Sequence, residues 1–203
     1  MAVTVGVLGI QGAVSEHVDA LQAAAAQQGM AVEVVVVRNP ADLGLVEGLI
    51  LPGGESTTIS RLLLSTGMHD ILRQRGGSGD LAIFGTCAGM ILLASTATHD
   101  VENKGVRLLE LLDAEVDRNA FGRQRESHQA MVEVEGLGIM PAVFIRAPVL
   151  TRVWGDTRAI AANEHGILAA QKGRIIATAF HPELSGDLRL HEYFLKLVVG
   201  KES

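Results

Sequence analysis

The feature that most constrains this chain is a set of short, nearly continuous runs of branched apolar residues. Val3 to Gly9, Val34 to Val37, Gly48 to Leu51 and Leu81 to Phe84 all lack the polar alternation of a strand with one face in water. Such runs predict strands covered on both faces. Between the first two, Val14 to Gln28 is rich in alanine and other helix formers, and Gly29 supplies a C-cap. Helical patterns around Ile59 to Leu64 and Met68 to Arg75 separate the next two strands. The reading is an α/β fold: a doubly wound, mainly parallel sheet with helices on both faces. From about Leu111 the texture changes. Ala130 to Glu135 and Ile160 to Glu164 alternate, which predicts a mixed or antiparallel C-terminal part, and Lys172-Gly173 reads as a hairpin turn. A strand over Arg174 to Phe180 and an amphipathic helix over Leu188 to Val199 close the chain. No linker, repeat or low-complexity segment interrupts it, so residues 1–203 read as a single domain.

Composition narrows the function classes. With a net charge of -6 and no polybasic run, the chain lacks the basic stripe that a nucleic-acid surface needs. No apolar run approaches the ~20 residues that span a bilayer, and Val32 to Val37, with Glu33 inside it, is strand-sized. The N-terminus has no basic region of the signal-peptide kind, and a lone cysteine makes no internal disulfide. A cytoplasmic protein is expected, in which Cys87 needs another explanation.

Phe84-Gly-Thr-Cys87-Ala-Gly89 offers one. A G-x-C-x-G between a strand and a helix is the pattern of a nucleophile elbow, in which a sharp turn lifts the central side chain toward substrate. A thiol there also sits at a helix N-terminus, where backbone N–H groups favour the thiolate. The competing reading is a buried structural cysteine. A nucleophile needs a base, and among seven histidines (His17, His69, His99, His128, His165, His181 and His191) one stands in Ala179-Phe-His181-Pro-Glu183. Residues i and i+2 at a strand end point to the same side, so Glu183 is expected to orient the imidazole of His181. The competing reading is an exposed His-Pro-Glu turn. The predicted catalytic triad is Cys87, His181 and Glu183.

Leu51-Pro-Gly-Gly54-Glu-Ser-Thr-Thr58 follows a strand and precedes a helix. As structure it is a turn with Ser56 or Thr57 as helix N-cap. As chemistry, the Gly54 and Ala88 N–H groups would form an oxyanion hole for a tetrahedral intermediate. Gly6, Gly9 and Gly12 do not have dinucleotide-loop spacing, and Arg38 stands where an acidic ribose ligand belongs. No spacing of His, Cys, Asp and Glu suggests a metal. Neither a metal nor another cofactor is expected.

These motifs together resemble those of the triad-type glutamine amidotransferases, whose fold is flavodoxin-like. Gly6 to Gly12, Leu51 to Thr58, Phe84 to Gly89, Arg118-Asn-Ala-Phe-Gly-Arg-Gln124, Val143-Phe-Ile-Arg-Ala-Pro148 and Thr178 to Glu183 are similar to the glutaminase-subunit family of pyridoxal 5'-phosphate synthase. The resemblance implies hydrolysis of L-glutamine to L-glutamate and ammonia through a thioester. The ammonia would pass to a separate barrel-shaped synthase subunit, the expected protein partner, for vitamin B6 synthesis. It also implies substrate contacts at Gly54, Glu55, Ser56, Arg118, Ile145 and Arg146. A free amino acid presents an ammonium and a carboxylate, which an acidic group and cationic donors would receive. For Arg118 and Arg146 the plain alternative is a solvated surface charge. The sequence departs from the family at His128, in Glu126-Ser-His-Gln129, where an aromatic residue is usual. A rival enzyme reading is a cysteine hydrolase or stress protein of the broader flavodoxin-like superfamily. A rival outside enzymology is a binding module that has kept the fold without turnover.

Overall fold

The computed structural model describes residues 2–98, 105–118 and 127–200; His99 and the segment 119–126 lie outside the described residues. The chain opens with β1 (Val3–Leu8), α1 (Val14–Gln27), β2 (Val32–Val37), α2 (Pro40–Gly44) and β3 (Gly48–Leu51). It continues through α3 (Ser56–Thr66), α4 (Met68–Gly77), β4 (Ala82–Thr86), α5 (Ala88–Leu93), β5 (Ala94–Ala97) and β6 (Leu112–Asp117). The C-terminal part contains β7 (His128–Val134), β8 (Gly138–Phe144), β9 (Val149–Val153), β10 (Arg158–Asn163), β11 (Gly166–Lys172), β12 (Ile175–Thr178) and α6 (Arg189–Val199).

The main sheet has the order β2-β1-β3-β4-β12-β11-β9-β6-β5, with β10 added on β11. Its first five strands are mutually parallel. β11 then runs antiparallel to β12, and β9 is antiparallel to both β11 and β6. The expected change from parallel to mixed pairing is therefore present. β7 and β8 leave the sheet as a separate antiparallel hairpin.

Burial explains the parallel half. Every residue of β3, β4 and β12 is buried, so their sequences carry no alternation. The step from β1 to β2 runs toward one edge and the step from β3 to β4 toward the other. Right-handed crossovers then put α1 on one face and α3 with α4 on the opposite one. In agreement, α1 packs on α6, while α3 packs on α4 and α5. The apolar stripe of α1 is Ala20, Leu21, Ala24 and Ala25, with His17 at its head. Full burial of Leu21 contributes about 1.5–3 kcal/mol.

Helix ends follow local chemistry. Gln28 caps α1 and Gly29 takes the left-handed turn behind it at φ +61, as the sequence predicts. The cap of α3 corrects the sequence reading: it is Glu55, not Ser56 or Thr57, and its carboxylate accepts from Thr58 N–H at 3.0 Å. Asn39 caps α2 through the Ala41 and Asp42 N–H groups, with Pro40 at the first helical position.

Because β1, β3, β4 and β12 are parallel, their carboxyl ends share one edge. The segments leaving that edge carry Gln11, the Pro52-Gly53-Gly54 turn, Cys87 and His181. The strand order reverses between β1 and β3, and such switch points are where open α/β sheets place their ligands.

Candidate active site

Cys87 lies between β4 and α5 with φ +48 and ψ -100. A non-glycine residue held there costs on the order of 1–3 kcal/mol and needs support from its surroundings. Support comes from β12: the Cys87 N–H donates to Thr178 O at 2.8 Å. The flanking glycines serve a different purpose from the one the motif suggests. Neither has positive φ. A Cβ on Gly85 would lie 2.6 Å from Leu93 Cδ1, and one on Gly89 would lie 2.2 Å from Leu51 O. They are glycines because α5 is pressed against the sheet, and Cys87 itself takes the strained turn.

His181 and Glu183 meet as expected, by a different geometry. β12 ends at Thr178, and Pro182–Leu184 forms one turn of 3₁₀ helix. The His181 N–H donates to Val143 O at 2.8 Å, which fixes the backbone. The turn then brings Glu183 Oε1 to 2.7 Å from His181 Nδ1. This contact comes from a tight turn rather than from strand alternation. The Glu183 side chain is fully buried and that of His181 nearly so.

With Nδ1 committed to Glu183, Nε2 is the ring atom left for Cys87. Burial disfavours imidazolium, but hydrogen bonding and charge attraction from Cys87 and Glu183 outweigh it, and His181 is pushed up to about 10. The ring therefore carries a proton on both nitrogens at neutral pH, beside a cysteine only 8% exposed. The Cys87 thiol also lies 3.9 Å from Ile145 O, in the segment after β8.

The glycine turn completes the floor. A Cβ on Gly53 would fall 2.3 Å from His181 Cε1 and 3.3 Å from Cys87 Cβ, so both side chains rest against this residue. Gly53 N–H donates to Thr86 Oγ1 at 3.0 Å, and its carbonyl accepts from Ala13 N–H at 3.3 Å. Gly12 (φ +113) must be glycine here, since a Cβ would come within 2.0 Å of that carbonyl. Gln11 Oε1 accepts from Glu55 N–H at 2.8 Å and lies alongside Gly54.

Of the other predicted contact residues, Glu55 and Arg118 meet each other, Oε1 to Nη2, at 2.7 Å. Glu55 is held down to about 2: partial burial raises it, but bonds from Thr57, Arg118 and the Thr58 N–H prevail. Arg118 Nη1 and Ser56 Oγ are buried without a hydrogen-bond partner among the described residues. Arg146 has φ +46, so the backbone beside Ile145 is also strained. A groove of about 610 Å³ runs along α3, lined by Thr57, Thr58, Arg61, Leu64, Ser65 and Gly105, and none of the triad residues borders it.

Three residues behind the triad escaped the sequence reading. His17 on α1, Thr86 at the end of β4 and His191 on α6 are all fully buried. His17 heads an otherwise apolar stripe, and a polar residue there was the available signal.

The profile of the SNO glutamine amidotransferase family matches residues 7–200. The chain belongs to this family. Its relatives include the pyridoxal 5'-phosphate synthase subunit PdxT of Methanoregula boonei, 53% identical over 196 residues that cover 95% of this chain and 97% of that protein. The PdxT of Archaeoglobus fulgidus is 48% identical over 193 residues, covering 95% and 97%. Among solved structures, a glutamine amidotransferase superposes with a TM-score of 0.85 at 43% identity, covering 96% of this chain and 98% of that one. A Thermotoga maritima glutamine amidotransferase, 11% identical with a TM-score of 0.63 over 99% and 98%, shares the fold. In this SNO family member the unusual His128 stacks on Phe144, with centroids 4.9 Å apart and an interplanar angle of 9°. Among the described residues no helix is long and apolar enough to cross a membrane.

Proposed function

We propose that residues 1–203 form one glutaminase domain, cytoplasmic, that hydrolyses L-glutamine and supplies ammonia to a pyridoxal 5'-phosphate synthase subunit. The observation that carries this is the ordered set Cys87, His181 and Glu183 on a strained elbow, inside a chain of the SNO glutamine amidotransferase family. The Cys87 thiolate attacks the side-chain amide carbon, and the electrons of the carbonyl move onto oxygen. Gly54 and Ala88 N–H groups receive that oxyanion. It collapses to a thioester as His181 gives its proton to the departing ammonia. His181 then takes a proton from water, whose oxygen attacks the thioester, and glutamate leaves as the thiolate is restored. Glu183 holds the ring throughout. Glu55, Ser56, Arg118, Ile145 and Arg146 receive the amino-acid end, and the buried Arg118 Nη1 suits a carboxylate.

Partner control fits the glycine turn. The Gly53 carbonyl is tied to Ala13 N–H, so turning the Gly53–Gly54 peptide to re-aim the Gly54 N–H releases that bond. One missing oxyanion donor is worth on the order of 10²–10³ in rate, enough to keep the free subunit nearly silent. Glutamate release from the purified chain at saturating glutamine, measured with and without the synthase subunit, tests the reading. A rise on mixing is expected, together with labelling of Cys87 by an electrophilic glutamine analogue. Absence of turnover in both conditions overturns it. The rival cysteine-hydrolase or stress-protein reading is disfavoured by the His181-Pro-Glu183 turn and by the family match across residues 7–200.

A further inference from the structure

The triad is backed by a second, fully enclosed set of polar side chains. Glu183 uses Oε1 on His181, while its buried Oε2 makes no well-formed hydrogen bond. His17 Nε2 stands 3.4 Å from that oxygen and 3.2 Å from Thr86 Oγ1. The same Thr86 oxygen accepts the Gly53 N–H. On its other side, His17 Nδ1 lies 3.1 Å from His191 Nε2, and His191 Nδ1 has no hydrogen-bond partner among the described residues.

Accounting for protons fixes the tautomers. If His17 carried its proton on Nδ1, it would donate to His191 Nε2, and His191 would then carry its own on Nδ1, leaving a buried N–H donor unpaired. In the opposite arrangement His191 Nε2–H donates to His17 Nδ1. His17 Nε2–H then points between Glu183 and Thr86, and what is left unpaired is a bare ring nitrogen and the hydrogen of the Thr86 hydroxyl, neither of them charged. An unpaired buried N–H and an unpaired carboxylate oxygen are both costly, so the second arrangement is favoured. The groups facing His17 are His191 from α6, Thr86 and Phe84 from β4, and Glu183 and His181 from the final turn. Burial, then the nearby His191 and His181, hold His17 well below its ordinary value, and burial alone lowers His191 to about 4. Both rings are neutral while His181 is charged.

We propose that His17 is a positioning residue for the triad: its Nε2–H holds the free oxygen of Glu183 and the hydroxyl of Thr86. It thereby ties the carboxylate that orients His181 to the glycine turn on which His181 rests. The role rests on the glutaminase reading above. It is distinct from general packing, because packing needs the ring's volume and this role needs a donor at one atom. The long 3.4 Å contact tightens as substrate organises the site.

Two substitutions of similar size separate the alternatives. His17→Gln keeps an amide N–H near the Nε2 position, whereas His17→Asn places it near Nδ1, facing His191. In the complex with the synthase subunit, His17→Asn should lower kcat for glutamine hydrolysis about 10–100-fold with KM little changed, as loss of an outer-shell orienting partner does elsewhere. His17→Gln should stay within roughly threefold of wild type on the same scale. On the isolated chain, the pH midpoint for alkylation of Cys87 by iodoacetamide should rise by about one unit in His17→Asn, tenfold in the protonation equilibrium, and stay put in His17→Gln. Equal behaviour of the two variants in both assays overturns the proposal. If His17→Asn does not fold, a shifted alkylation midpoint in folded His17→Gln overturns it and an unshifted one supports it. Loss of wild-type turnover would instead sink the glutaminase reading, and the alkylation midpoints would still decide the role of His17.

Discussion

Gly53→Ala should cripple the enzyme without touching a catalytic atom. The added methyl would lie 2.3 Å from His181 Cε1, about 1.1 Å inside ordinary contact, and 3.0 Å from Nδ1. Gly53 has no positive φ, so backbone strain is not the cause. Nor can the methyl turn aside, because the glycine backbone is held by Thr86 Oγ1 on one side and by Ala13 N–H on the other. The ring must move by about an ångström, which carries Nε2 out of line with the sulfur and loosens the 2.7 Å bond to Glu183. Misplacement on that scale costs on the order of 10² in rate. Overpacking of a filled site adds about 1–3 kcal/mol of destabilisation, a fall in Tm of roughly 2–12 °C for a chain of this size. The assay is kcat for glutamine hydrolysis in the synthase complex, with Tm by calorimetry on the same preparation. Gly44→Ala is the control: that residue lies in α2 with nothing within 4 Å and no positive φ, so activity should be unchanged and stability should rise by about 0.4–1 kcal/mol. Activity of Gly53→Ala within about threefold of wild type would refute the claim that this residue seats the catalytic ring.

Cys87→Ala should fold normally and release no glutamate, because it removes the only nucleophile for the thioester; residual turnover above the uncatalysed rate would refute the mechanism. His181 is raised from 6.5 to about 10, so its contribution to stability is complete below pH 6.5 and is lost as pH climbs through 10. Tm of the wild type should fall across that window and His181→Asn should flatten the fall; parallel curves would count against the charge pair. His191 is depressed to about 4, so the unfolded chain takes up its proton first and stability falls as pH drops from 6.5 toward 4. His191→Phe should weaken that acid loss, and an unaltered acid limb in urea titrations would argue against it.

Much of this was legible because each signal was local. β3 lies at Gly48–Leu51 as read, and α1 differs by one residue at its end. The elbow and the His-Pro-Glu were found because spacing along the chain carries their chemistry. What escaped depended on packing across the fold. Ala94–Ala97 follows Ile91-Leu92-Leu93 without a breaker, so the sequence continues a helix where the chain begins β5, and only pairing with β6 makes it a strand. The need for Gly85 and Gly89 comes from Leu93 and Leu51, and no local pattern displays it. The cap that Glu55 makes on α3 and its bond to Arg118 depend on a long side chain folding back across the turn, and no local pattern displays them. His17 sits far in sequence from Glu183, and its periodicity is that of core residues.

The position of β12 has a consequence for how the enzyme comes into being. It is the last strand among the described residues, yet it occupies the middle of the sheet between β4 and β11. Until it arrives, β4 has β3 on one side only, and the Cys87 N–H lacks the Thr178 carbonyl that stabilises its strained turn. The nucleophile is therefore made early on the ribosome and armed last. The same short segment that closes the sheet leads directly into His181. Such non-local closure slows folding and leaves an apolar strand edge open meanwhile. In return, the elbow gains its backbone support only together with the strand that delivers the catalytic histidine.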